Sequence, residues 1–460
     1  MVFINSIYTI AKVNNYYDEK KLNCRNFFDL IEIEGLSNYE LREVAYETGF
    51  MKRAAKKIDA PDFLALMCLE SQKGSPSYND LASRFETVYK ISPTKQAVSK
   101  KVNQSCVDFF QVVLSQIIKS KIAKFGTEAI PTAGNYGRII VQDSTIIKLP
   151  LGLFEIFSGV SNAHTAVCNA RIQGVYDLLA GNFILFSIDP YSKNDLSAAS
   201  ELELQRGDLI LRDRRYSKTE EAKRQIDAGA DFITRHKYKT TYFDPISGEA
   251  IDLNRLLKKK KNIDMEILLN DKQTRVRLIA APVGEDVANQ RKRKAKKEMK
   301  GHNPCSGLFY QMGWTIFLTT IPKEEAEFQK ILLIYGLRWR IEIIFKIWKS
   351  HMQFDKVHKV SENQFRTLLT ARFIMIAVCT HHIYHSFYQR IHKIYKRELS
   401  MMKLFKYLMK NPEKIIECFS KQSCEFSDGK LLLEALTRYC TYDKRRKRRN
   451  FHQTMEQALN

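Results

Sequence analysis

A chain of 460 residues has room for about three domains of ordinary size and a sizeable buried core. Its 74 Lys plus Arg stand against 51 Asp plus Glu, a net charge of +23, while hydrophobic residues make up 44% and charged residues only 27%. That balance excludes a disordered polyelectrolyte and describes a folded body whose surface seeks polyanions.

Met1 to Tyr17 lacks both the basic and the long apolar stretch of a secretory signal. The following residues read as helical up to about residue 130, the N-terminal region of the predicted organisation. Ser77, with Asp80 three residues on, forms a capping pattern before Leu81 and Phe85 at i, i+4. A break at Ile91-Ser92-Pro93 follows, and Ser92 before Pro93 reads as the cap and first residue of a second helix to Val102. That helix offers Lys95, Gln96, Ser99, Lys100 and Lys101. Residues 77–102 thus resemble a helix-turn-helix DNA reader, with an ordinary helical subdomain as the alternative.

From Gly134 the texture changes to strands. Arg138–Asp143, Arg171–Leu179 and, after a Gly181-Asn182 turn, Phe183–Ile188 come in succession. A polar helix from about Asp195 to Arg206, a strand Leu209–Asp213, a helix over Lys218 to Ala228 and a strand Phe232–Arg235 complete the order βββαβαβ. This is the order of a ribonuclease-H-like α/β domain, a mixed sheet covered by helices, predicted here over residues 131–360. Residues from about 240 to 320 read as a basic β-rich insertion, with strands at Met265–Leu269, Val276–Val283 and Trp314–Thr320. Between Lys258 and Lys300 there are 14 basic and 6 acidic residues, and Lys444 to Arg449 are six basic residues in a row. Such runs are either solvated surface or phosphate contacts.

A long helix resumes near Lys323. At 100° per residue, Tyr335, Arg338, Lys346 and Lys349 fall within about 40° of Glu342, while Leu337, Ile344, Ile347 and Trp348 lie opposite. One stripe is polar and basic, and the other faces a core. Asp143 and Asp213 each end a strand, so adjacent strands would bring them together with Glu342 as a third carboxylate. Carboxylate oxygens suit Mg2+, or Mn2+ in its place, and two such ions about 3.5–4 Å apart can drive phosphoryl transfer. Residues 361–460 read as a helical, basic C-terminal region. Its longest apolar run, Phe373 to Cys379, is far below the roughly 18 residues of a membrane helix. His381, His382 and His385 read as a packed helix face, since no carboxylate or cysteine accompanies them. Nine scattered cysteines without a C-x-x-C pair exclude a disulfide framework and a zinc ribbon. A soluble protein of the bacterial cytoplasm, associated with the nucleoid when bound to DNA, is expected.

The spacing Tyr335-x2-Arg338-x3-Glu342-x6-Lys349 resembles the signature of bacterial cut-and-paste transposases of the insertion-sequence-four family. The likeness runs over roughly residues 135 to 360, through Asp143 in Val-Gln-Asp-Ser-Thr, Asp213 in Leu-Arg-Asp-Arg-Arg-Tyr, Arg235 in Phe-Ile-Thr-Arg and Trp314 in Gly-Trp-Thr-Ile. Arg214-Arg215-Tyr216 follows Asp213 where many relatives have a glycine before the aromatic. The resemblance implies an Asp143–Asp213–Glu342 metal-binding triad on a ribonuclease-H-like fold. Arg235, Tyr335, Arg338, Lys346 and Lys349 would grip DNA phosphates, with Trp314 and Trp339 as stacking surfaces. It further implies a homodimer on double-stranded inverted-repeat ends that nicks, forms hairpins and transfers strands into target DNA. Trp314, 21 residues before Tyr335, stands at a spacing similar to that in family members which flip a base out of the duplex, and the resemblance implies that role for it. A catalytically silent DNA-binding derivative or repressor, and a structure-selective nuclease, are the alternatives.

Overall fold

The computed structural model describes residues 36–459 apart from 55–56, 73, 121–135, 160–165, 194–200, 299–303, 352–354, most of 412–426 and 444–450. Met1 to Tyr17 and the run Lys444 to Arg449 therefore lie outside the described residues.

The N-terminal part folds as α1 (Asn38–Glu47), α2 (Ala60–Ser71), α3 (Tyr78–Tyr89), α4 (Lys95–Lys101) and α5 (Gln104–Lys119). Ser77 caps α3 as its sequence predicts. Its Oγ accepts the Asp80 N–H at 3.1 Å, the Asp80 carboxylate accepts the Ser77 N–H at 3.0 Å, and Leu81 and Phe85 are buried. The start of α4 differs from expectation. Pro93 is buried in the connecting turn, and Thr94, two residues beyond Ser92, caps the helix by accepting the Ala97 N–H at 3.2 Å. The basic face is also narrower. Lys95, Gln96 and Lys100 are exposed, but Lys101 donates to the Phe50 carbonyl at 3.2 Å and lies over that ring.

Eight strands form one mixed sheet: β1 (Arg138–Lys148), β2 (Asn169–Asp177), β3 (Asn182–Pro190), β4 (Asp208–Arg212), β5 (Asp231–Arg235), β6 (Ile263–Leu268), β7 (Arg275–Pro282) and β8 (Trp314–Thr319). Their order is β3-β2-β1-β4-β5-β8-β7-β6, with β4 parallel to β1 and β5 parallel to β4 and every other pairing antiparallel. Between β4 and β5 runs α6 (Thr219–Asp227). Gly181, at φ +68°, makes the tight β2–β3 turn; a Cβ there would lie 1.9 Å from His385 Nε2.

Three expectations change. Asp143 lies inside β1 rather than at its end, because Ser144 to Lys148 keep pairing with β2 as far as Lys148↔Asn169. Of the helix expected from Asp195 to Arg206, residues 194–200 lie outside the described residues, and Glu201 to Arg206 are turn and irregular chain. Residues 240–320 are not purely β-rich. β6, β7 and β8 extend the same sheet through Ile233↔Thr319, and α7 (Leu253–Lys259), α8 (Glu285–Glu298) and α9 (Ser306–Gln311) accompany them. The Lys, Arg, Ala and Glu of α8 are strong helix formers, a signal hidden beneath its charge.

Both sheet faces are covered, so alternate residues of one strand feed different cores. Ile139, Val141, Leu209, Leu211, Ile233 and Phe317 enter the larger core, whereas Ile140, Ile210, Phe232, Ile316 and Leu318 enter a smaller one. The larger core is closed by α10 (Phe328–Gly336), α11 (Trp339–His351) and α12 (Glu362–Val378), the last packing on α2 and α5. α12 runs through a π turn, Cys379–Tyr384, into α13 (His385–Tyr395), followed by α14 (Met401–Lys410), α15 (Ser427–Cys440) and α16 (Phe451–Leu459). The continuous helix Glu362–Tyr395 is long and apolar enough to cross a membrane, but 94% of its apolar window is buried inside the protein.

The histidines of this helix do pack. His381 Nε2 accepts the Phe183 N–H at 3.1 Å, and His385 Nε2 bonds the Gly181 carbonyl at 2.8 Å. Burial holds the imidazoles of His381, His385 and His452 below their ordinary range, and those of His382 and His236 at about 4. In the unfolded chain they take up protons below about 6.5. The stability these neutral rings contribute is therefore complete above pH 6.5 and is lost as pH falls towards 4. Urea midpoints should drop between pH 7.5 and pH 5, by more than in a His382→Gln variant. Equal midpoints at the two values would mean that the rings are not buried neutral.

Candidate active site

The parallel β1–β4 ladder brings two acids together. Its last bonded pair is Gln142↔Arg212, and the next residue on each chain is Asp143 and Asp213. Neighbouring strands lie about 4.8 Å apart, and alternation turns both acids to the face of Val141 and Leu211. Asp213 leads into a tight turn, Arg214–Tyr216, that forms without a glycine. The Asp143 side chain is 24% exposed. Burial pushes its carboxyl up to about 6, against the opposing pull of Arg338 and of the Ser144 N–H, which donates to it at 2.8 Å.

The single helix expected from Tyr335 to Lys349 is two helices. α10 ends at Gly336, a poor helix residue, and a turn held by Leu337 N to Ile334 O (3.0 Å) and Arg338 N to Tyr335 O (3.1 Å) precedes α11. This break rephases the stripe. Tyr335 is only 2% exposed, its ring centroid 4.8 Å from that of Phe317 at a tilt of 53°, and it is flanked by the guanidinium groups of Arg235 at 5.3 Å and Arg338 at 5.6 Å. Arg338 is also buried, and it bridges the acids, with Nη2 2.5 Å from Glu342 Oε1 and Nη1 3.4 Å from Asp143 Oδ2. The Lys349 ammonium donates to the Ile146 carbonyl at 2.9 Å. Of the expected phosphate-gripping and stacking residues on this segment, Lys346 and Trp339 are exposed and Tyr335 and Arg338 are not.

The apolar back of α11 is as the periodicity predicts, with Ile344, Ile347 and Trp348 buried, and Leu337 of the preceding turn is buried with them. Gly174, which pairs with Asp143 across β1–β2, explains how closely this helix approaches. A Cβ there would stand 3.0 Å from Phe345 Cζ. An isolated glycine within a strand is the sequence signal of such an approach.

Trp314 does not stand beside the carboxylates. Positions 314, 316 and 318 of β8 share one face by the period of two, and Trp314 packs against the smaller core on the side opposite Phe317. Its carbonyl accepts from Arg291 at 2.7 Å. Arg235, ending β5, keeps its guanidinium over Tyr335 and so belongs to the acidic face.

An open cleft of about 450 Å³ lies between β1 and α11, walled by Asp143, Ser144, Thr145, Glu342, Lys346 and Ser350. Of the hydroxyl residues of this wall, Ser144 and Thr145 fall in the Val-Gln-Asp-Ser-Thr stretch, whereas Ser350 carries no motif that would announce it. In chemistry the three carboxylates are a hard-oxygen set suited to a divalent cation. Among the described residues, however, no three His, Cys, Asp or Glu side chains are grouped closely enough to hold an ion, and Arg338 spans the gap between Asp143 and Glu342.

Comparison with known proteins adds an independent finding. The family described as Transposase DDE domain matches residues 136–378. The chain is 27% identical over 391 residues to the transposase for insertion sequence element IS231E of Bacillus thuringiensis subsp. finitimus, covering 79% of this chain and 80% of that one. It is 25% identical over 426 residues to the transposase for insertion sequence element IS1151 of Clostridium perfringens, covering 86% and 87%. A solved piggyBac transposase synaptic complex with hairpin DNA aligns at a TM-score of 0.41 with 11% identity, over 93% of this chain and 88% of that one.

Proposed function

The chain belongs to the DDE transposase family, and from that premise we propose that Asp143, Asp213 and Glu342 are the acids with which it cuts and joins DNA at the inverted-repeat ends of an insertion sequence. The observation that carries this reading is the matched register of Asp143 and Asp213 on one sheet face, with Glu342 tied to Asp143 through Arg338. The run of the first five strands, 3-2-1-4-5 with β4 parallel to β1 and β5 to β4, supports a ribonuclease-H-like core.

Two Mg2+ ions, or Mn2+ in their place, are the proposed cofactors, with the three carboxylates as their ligands. When bound they supply charge neutralisation at the phosphate and an activated nucleophile. The chain's own part is positional. Arg338 neutralises Asp143 and Glu342 in the conformation described and must turn from them for the carboxylates to share an ion; the phosphate of a bound DNA strand is the group that would draw it off. Lys346, exposed at the cleft rim one turn beyond Glu342, meets the DNA backbone. Trp339, 58% exposed, offers a stacking surface at the same helix start. Arg235 and Lys349 support the grip from partly buried positions. Double-stranded ends, target DNA and a homodimeric end complex complete the proposal, with the helix-turn-helix-like residues 77–102 as a further DNA contact.

The test is a plasmid carrying the element's own ends, incubated with the protein and Mg2+. Nicks at both ends followed by hairpin-capped products are expected. Metal-independent binding with no cleavage would replace this proposal with a silent DNA-binding protein. On the binding side, Lys346→Ala should flatten the salt dependence of end binding by about one counterion, since one phosphate contact is lost. An unchanged slope would return Lys346 to solvated surface.

A further inference from the structure

The other face of the sheet holds a second cavity, of about 360 Å³, within the roughly 300–1,000 Å³ of small-molecule sites. It opens at the N-terminus of α6, beneath the ends of β4 and β5. Ile210, Phe232 and Leu318 make an apolar floor, Arg212 and Thr234 line the wall, and the exposed Lys218 and Lys239 stand at the mouth.

Several independent features there call for an anion. Arg212 is 2% exposed; its Nη1 donates to Glu221 and its guanidinium lies 5.4 Å over the Tyr216 ring, but its Nε and Nη2 have no hydrogen-bond partner among the described residues. The Thr234 hydroxyl, on a side chain 9% exposed, also has no hydrogen-bond partner among the described residues. Unmade hydrogen bonds on buried donors are costly. The N-cap residue of α6, Lys218, makes no side-chain cap hydrogen bond, and Lys218 to Ala222 line the cavity, so the first turn, which also carries Glu220 and Glu221, presents the positive end of a nine-residue helix there. The nearby acids do not cancel this. Glu221 is already shared among Arg212, Arg224 and Gln225, which leaves Glu220 against Lys218 and Lys239.

We infer that this cavity binds a small phosphomonoester with an aromatic or apolar body, the class of a nucleoside monophosphate. The phosphate accepts from Arg212, Thr234 and the α6 amides, and the body lies on Ile210, Phe232 and Leu318. Arg212 directly precedes Asp213, and strand alternation sets the two back to back. An occupant would thus brace the end of the strand that carries a proposed catalytic acid without entering the catalytic cleft. The site itself does not depend on the triad assignment.

The test is calorimetric titration of the full chain, with EDTA present, using dAMP, inorganic phosphate and a short 5′-phosphorylated single strand. Saturable dAMP binding is expected, with inorganic phosphate weaker by about tenfold or more. Thr234→Val, which keeps side-chain shape and removes the unsatisfied hydroxyl, and Lys239→Glu, on the surface, should each weaken dAMP by about tenfold without lowering the melting temperature. Lys346→Ala, in the other cleft, should leave dAMP binding unaltered. If the 5′-phosphorylated strand competes with dAMP, the natural source of the group is a DNA terminus; if it does not, the source is a free nucleotide. The inference is overturned if dAMP does not saturate, if phosphate binds as well as dAMP, if both cavity variants bind normally, or if Lys346→Ala abolishes binding.

Discussion

Asp143→Asn is expected to abolish end cleavage, by about 10³-fold or more, and at the same time to make the protein more stable at neutral pH. The two effects have one origin. Burial pushes the Asp143 carboxyl up to about 6, above its ordinary value of 3.8, even with Arg338 beside it. A carboxyl raised in this way favours the folded state at low pH, and that advantage is lost as pH rises from 3.8 through 6. At pH 7 the ionised group therefore costs up to about 3 kcal/mol, at roughly 1.4 kcal/mol per pKa unit. Asparagine removes the charge while keeping the shape, so the variant should melt higher than the parent at pH 7.5 and alike at pH 3. Asp213→Asn and Glu342→Gln should share the loss of cleavage. A variant that still cuts, or an Asp143→Asn protein that melts lower at pH 7.5, would make Asp143 a structural residue and not a strained functional one.

Trp348→Ala should carry the largest penalty in stability, about 3–5 kcal/mol. Trp348 is 1% exposed, with ring centroids of Phe183, Phe345 and Phe186 at 5.0, 5.1 and 5.6 Å and Phe373 at 6.4 Å. These rings come from β3, α11 and α12, so one side chain joins the sheet to two helices, and no small residue can refill the space. The loss should appear as a lower urea midpoint. Trp348→Phe should lose less and retain cleavage, because it keeps α11 seated and Glu342 with it. A midpoint within about 1 kcal/mol of the parent in Trp348→Ala would show that α11 is held by something other than this cluster.

Much of the molecule is legible in its sequence. The β1 to β5 strands, the capped helix after Ser77, the helix between Asp213 and Phe232, and the buried back of α11 all follow from periodicity and capping chemistry. Each of these signals is complete within a few neighbouring residues. The alignment of the two aspartates is also legible, because each follows an apolar stretch and the ladder needs only equal register, even though Asp143 lies inside β1 and not at its end.

The tertiary structure decided the rest. Leu337 and Arg338 turn the expected single helix into two, and at 100° per residue this two-residue turn is enough to carry Tyr335 inward and to aim Arg338 at Asp143 and Glu342. Trp314 carries no local sign of which sheet face it takes; pairing with β5 and β7 sets that face, and one residue of register reverses it. The extension of the sheet by β6 to β8 and the place of Phe345 against Gly174 likewise depend on partners distant in sequence. What this sequence determined by itself was the inventory of elements and of chemically able side chains, because propensity, periodicity and charge are local. Which of those side chains meet, and which are enclosed, was decided by non-local register and packing.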